Sequence, residues 1–106
     1  MSEGLSEDGW ITIPVSVPPE LVKLGIAPDL IRFFDSMVYK LRRSHSKGRW
    51  ETLDLDKAMG GLADEMEELK VAIKHGSTAE IVMESSDTAN MALIVAAIAL
   101  EARGAR

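Results

Sequence analysis

The last third of the chain most constrains what it can fold into. From Thr78 onward no glycine or proline occurs until Gly104, and between Thr88 and Leu100 only Thr88 and Asn90 are not apolar. Such a run predicts one long helix, capped by Ser77 or Thr78. A helix with no polar face has to be covered on every side. The rest of the chain offers only two other long helical segments, too few to surround a third. An all-α helical bundle completed by oligomerisation is therefore expected, as a homodimer or homotetramer. With 106 residues and no cysteine the chain has no disulfide to offset a small core, which points the same way.

The first of those two segments starts at Pro28 or Asp29 and runs to about Arg43, carrying Leu30, Phe33, Phe34, Met37, Val38 and Leu41 at helical spacing. Ser44 to Gly48 interrupts it. After Trp50, Asp54 is placed to cap a second helix ending near His75, with Gly76 as its stop. On that helix Leu55, Met59, Leu62, Met66, Leu69 and Ile73 fall within about 40° of one line, which predicts the face turned to the core. Residues 1–28 hold all four prolines and the alternating stretch Trp10 to Val15. Proline suits edges and loops, so this part reads as an extended N-terminal arm with at most one short strand and a turn of helix at Pro19 to Leu24, stopped by Gly25. The helical domain is then 29–106.

Charge narrows the function. Twelve basic and 17 acidic residues give a net charge of −5, which disfavours a general nucleic-acid surface. Lys40, Arg42, Arg43, Lys47 and Arg49 nevertheless cluster just ahead of an acidic second half, an arrangement suited to a ligand carrying both phosphates and metals. The absence of cysteine excludes a thiolate metal site and a cysteine nucleophile, and suits the cytoplasm. Met1 to Asp8 lacks the pattern of a signal peptide, and the apolar run Met91 to Leu100 is shorter than the roughly 20 residues of a spanning helix, so no membrane partner is expected.

The acids themselves are patterned. The second helix carries Asp64-Glu65-Met66-Glu67-Glu68 and the third Glu84-Ser85-Ser86-Asp87. Residues three apart on a helix share a face, so Glu65 with Glu68 and Glu84 with Asp87 each form a pair of oxygen ligands. One such pair is ordinarily a solvated helix face. Asp87 is harder to explain that way, because it sits at the mouth of the apolar segment, and no lysine or arginine follows it before Arg103. A carboxylate there has to be neutralised, paired or bound to metal. Two facing pairs make a site for a hard cation, Mg²⁺ with Mn²⁺ able to substitute.

These residues resemble the signature of the MazG-like, all-α nucleoside triphosphate pyrophosphohydrolases, Glu-Glu-x-x-Glu on one helix and Glu-x-x-Asp on the next. Here it stands as Asp64-Glu65-Met66-Glu67-Glu68 and Glu84-Ser85-Ser86-Asp87. Lys47-Gly48-Arg49-Trp50 and Asp87-Thr88-Ala89-Asn90 resemble the flanks of small phage-type members. The similarity spans roughly residues 30 to 100. It departs at Asp64, where a shorter side chain reaches a metal only through water, and in lacking a separate fourth helix after the apolar one.

The resemblance implies hydrolysis of (deoxy)nucleoside triphosphates between the α and β phosphates, releasing monophosphate and pyrophosphate, and its phage-type flanks lean toward purine dNTPs such as dGTP or dATP. Glu65, Glu68, Glu84 and Asp87 would be metal ligands, with Glu65 or Glu68 as the catalytic base that orients water. Lys47 and Arg49 are candidates for phosphate contacts, against a solvated loop. Trp50 would stack on a base or, as large aromatics more often do, pack in the core. Asn90 would hydrogen-bond base or sugar, or satisfy a neighbouring backbone group. His45 and His75, at helix ends, need no catalytic role, and the six methionines suit core filling. The rival from another class is a non-enzymatic helical oligomerisation or interaction module whose acids only solubilise it. A phosphatase releasing orthophosphate is the enzymatic rival.

Overall fold

The computed structural model describes residues 4–5, 8–14, 16–44 and 53–102. It is predominantly helical. Two short strands, β1 (Gly4–Leu5) and β2 (Ile11–Thr12), precede α1 (Pro19–Lys23), α2 (Ala27–Ser44), α3 (Leu55–His75) and α4 (Thr78–Ala102). The chain divides into two compact units, residues 1–31 and 32–106, with the boundary inside α2.

In the first unit β1 and β2 pair antiparallel, Gly4 opposite Thr12 and Leu5 opposite Ile11. The reversal between them uses Gly9 at a φ of 88° and an Asp8 carboxylate that accepts from the Trp10 amide at 3.2 Å. The sequence leads to at most one strand in this region. Its partner, two residues long, offers no alternation to read. Proline at the start of α1 fits the first helical turn, and Gly25 at a φ of 75° ends it.

In the second unit the helix boundaries follow local chemistry. Asp54 caps α3, its side chain accepting from the Lys57 amide at 2.8 Å. The Gly76 amide donates to the Ala72 carbonyl at 2.7 Å. Gly76 is extended, with a φ of −91°, and not left-handed. It serves as a stop by being small, since a Cβ there would stand 2.8 Å from the Ala72 carbonyl oxygen. Ser77 and Glu80 form a reciprocal cap at the start of α4, each side chain accepting from the other's amide at 3.2 Å.

Packing overturns one expectation about α3. The stripe that the sequence turns inward is largely outside: Leu55, Met59, Met66 and Ile73 are all exposed. The buried residues of α3 are Ala58 and Ala72. These two lie in line with Gly61 and Glu65, about 100° round the helix from the apolar stripe. Small residues there let α3 and α4 approach closely. Over Gly61 the Met91 methyl of α4 fills the space, so near that an added Cβ would stand 2.8 Å from it. Leucine or methionine would hold the helices apart.

α4 meets α2 through polar groups. Ser86, fully buried, donates to Ser36 Oγ at 2.7 Å, and the Asn90 amide nitrogen donates to the Met37 carbonyl at 3.0 Å. By length and composition α4 could cross a membrane, yet Ser86, Asp87 and Asn90 all engage α2. Among the described residues, parts of its apolar surface are left open: Val82, Leu93 and Leu100 are exposed.

Candidate metal centre

The α3–α4 seam that excludes large apolar side chains is where the carboxylates gather. One oxygen each from Glu65, Glu84 and Asp87 lies within 4.8 Å of the others. Oxygens on opposite sides of a hard cation stand about 4 to 5 Å apart, so one ion can bridge this set. Glu68 is more exposed and outside the converging three, but close enough to raise the pKa of both Glu65 and Glu84. Three of the four expected ligands thus converge, with the fourth beside them. Asp64 lies along the adjoining cleft without joining the three.

The cluster is electrostatically uncomfortable. Burial, the hydrogen bond to Glu68 and the negative charges of Glu68, Asp87 and Glu84 together push the Glu65 carboxyl up to about 7. Burial, followed by repulsion from Glu68 and Asp87, also raises Glu84, while Lys40 pulls it back. Glu65 Oε2 and Glu84 Oε2 are buried with no hydrogen-bond partner. Orphaned carboxylate oxygens at the meeting point of like charges are the donor set that a hard cation satisfies.

Asp87 is paired. Lys40 Nζ, on α2, stands 3.2 Å from Asp87 Oδ2, with both side chains 24% exposed. No cation on α4 itself could do this, and sequence separation hides the partner. The available signal was the basic cluster that begins at Lys40, four residues after Ser36 and hence on the face of α2 that meets α4.

Beside the cluster lies a cleft of about 580 Å³, within the range of small-ligand sites. Glu65 and Asp87 form its acidic wall, and Lys40, Arg43 and Lys57 line it with positive charge. Met91 and Ile94 give it an apolar surface, and Asn90, whose Oδ1 is buried and unpartnered, also lines it. A second hollow, of about 430 Å³, is lined by Glu67, Glu68, Glu80, Glu84 and His75. Its negative charge would repel phosphate, so the first is the cleft suited to an anion.

Lys47, Arg49 and Trp50 lie outside the described residues, as does His45. Of the described cations of the cleft, Lys40 and Arg43 belong to the basic cluster singled out in the sequence, whereas Lys57 had no site role there. Asn90 is 6% exposed, with its nitrogen committed to the Met37 carbonyl. Of the two alternatives for it, the structure shows the hydrogen bond to a neighbouring backbone group. Comparison of the chain with protein families, with curated proteins and with solved structures gives no match.

Proposed function

We propose that this chain is a metal-dependent nucleoside triphosphate pyrophosphohydrolase, as its resemblance to the MazG-like enzymes implies. The observation that carries this reading is the convergence of Glu65, Glu84 and Asp87, with two buried unpartnered oxygens, beside a cleft that Glu65 and Asp87 line together with three cations. Those three carboxylates would hold Mg²⁺ or Mn²⁺, which supplies Lewis-acid polarisation of phosphate oxygens and acidifies a water.

The chain's own residues divide the remaining work. Arg43 and Lys57, which line the cleft, would neutralise phosphate charge. Glu68, beside the converging three and lining the neighbouring hollow, would accept a proton from the attacking water. Asn90 Oδ1, held in place because its nitrogen is bonded to α2, accepts from a hydroxyl or amino group of the nucleoside. Met91 and Ile94 offer apolar contact to sugar or base. Cleavage between the α and β phosphates rests on the resemblance, as does the leaning toward purine dNTPs.

A second copy of the chain, as homodimer or homotetramer, would cover the exposed stripe of α3 and the uncovered faces of α4. Three buried apolar residues among those described, Ala58, Ala72 and Ile94, make a small core for one copy alone. The same faces favour the rival, a helical interaction module, but that reading leaves the orphaned oxygens unexplained. The protein would work in the cytoplasm.

Incubation with each canonical NTP and dNTP plus Mg²⁺, with product analysis, tests the proposal. Monophosphate and pyrophosphate are expected. Orthophosphate alone would identify a phosphatase, and no hydrolysis with no divalent-metal effect on melting would favour the module. Glu68→Gln and Asp87→Asn should each abolish turnover with the helical circular dichroism intact.

A further inference from the structure

We propose that Lys40 is an internal counter-ion of the carboxylate cluster, releasing Asp87 when a divalent cation enters and turning its ammonium into the adjoining cleft to bind phosphate. The proposal rests on the metal-site reading above, and adds to it a coupling between metal and anion.

Position comes first. Lys40 holds Asp87 Oδ2 at 3.2 Å, and the same carboxylate converges with Glu65 and Glu84. The ammonium thus takes up an acceptor that a cation in the cluster would use. Its one charge leaves Glu65 Oε2 and Glu84 Oε2 unpartnered, so it neutralises the cluster only in part. A divalent ion satisfies more oxygens with twice the charge and would repel an ammonium held on the same carboxylate.

The pair is one of several polar links between α2 and α4. Ser86 to Ser36 and Asn90 to the Met37 carbonyl already fasten the two helices. Were Lys40 a third fastener, the cluster would still lack cover for its orphaned oxygens. Nor need a released Lys40 travel far, since it lines the cleft together with Arg43 and Lys57. A lysine stem has four rotatable carbons, and this side chain is partly open to solvent. Asn90, whose buried Oδ1 has no hydrogen-bond partner, lines the same cleft.

Metal and phosphate should therefore bind cooperatively: the metal frees Lys40 for the anion, and by linkage the anion favours the metal to the same extent. Two measurements on the full chain test this. In lysine-ammonium NMR of the wild-type protein, saturating Mg²⁺ should shift the Lys40 Nζ resonance. In calorimetry, Lys40→Met should bind Mn²⁺ about 10-fold or more tightly than wild type, because the competing charge is gone. Lys57→Met, which removes a cleft charge without freeing Asp87, should leave Mn²⁺ affinity within about twofold. With Mg²⁺ bound, tripolyphosphate should bind Lys40→Met more weakly than wild type.

Equal or weaker Mn²⁺ binding by Lys40→Met, with an unmoved Lys40 resonance in Mg²⁺-saturated wild type, would overturn the counter-ion role and leave the metal site standing. An equal gain in Lys57→Met would reduce the effect to general charge and overturn it as well. Failure of both wild type and Lys40→Met to bind Mn²⁺ would overturn the metal site itself.

Discussion

Replacing Glu65 with glutamine should make the metal-free protein more stable at alkaline pH while weakening its grip on metal. Glutamine has the shape of the protonated carboxyl but cannot ionise. In the folded chain the Glu65 carboxyl is raised from 4.5 to about 7, chiefly by burial and by Glu68, with Asp87 and Glu84 adding to it. Below about pH 4.5 the proton is bound whether the chain is folded or not. As pH rises toward 7 the unfolded chain gives it up and the folded chain retains it, so the stability this group contributes is progressively lost; above about 7 none remains. The full shift corresponds to about 3 kcal/mol at roughly 1.4 kcal/mol per unit, and partial exposure with shared charge reduces that to about 2 kcal/mol.

Glu65→Gln should therefore match wild type at pH 4.5 and exceed it by about 2 kcal/mol at pH 8, roughly 5 to 15 °C in Tm. Urea unfolding followed by circular dichroism, in EDTA and at one fixed protein concentration, measures both values. With millimolar Mn²⁺ the order should reverse at pH 8, since wild type alone keeps all three converging ligands. A variant no more stable than wild type at pH 8 in EDTA would refute the claim that these carboxylates strain the empty site.

Three further outcomes follow from the packing. Ser86→Ala should cost about 1 to 2 kcal/mol in urea unfolding, because it leaves Ser36 without its buried partner at 2.7 Å. Gly61→Ala should be neutral or stabilise α3 by up to about 1 kcal/mol in the same assay, since the atom it meets is the movable Met91 methyl and alanine favours helix. Met59→Lys with Met66→Lys should leave helicity unchanged but lower the mass measured by light scattering to that of one chain; an unchanged assembly would remove the α3 stripe from the interface.

Local chemistry made the helices legible. Asp54, the Ser77–Glu80 pair, Gly25 and Gly76 satisfy or interrupt backbone hydrogen bonds within a few residues, so their effect can be read without knowing the fold. The carboxylate pairs were legible for the same reason, because three residues along a helix fixes a shared face whatever the surroundings. Periodicity gives the phase of an apolar stripe, but not whether its own chain or another copy covers it. On α3 the stripe at Leu55, Met59, Met66 and Ile73 was plain in the sequence, yet close approach to α4 was possible only along Ala58, Gly61 and Ala72. That choice placed Glu65 in the seam, brought Glu84 and Asp87 to it, and left oxygens without partners. The partnership of Lys40 with Asp87, 47 residues apart in the chain, likewise exists only through the packing of α2 on α4. The sequence by itself determined which residues could act together along each helix; the tertiary structure decided which of them meet, because burial and charge proximity are properties of the packed seam and of no single helix.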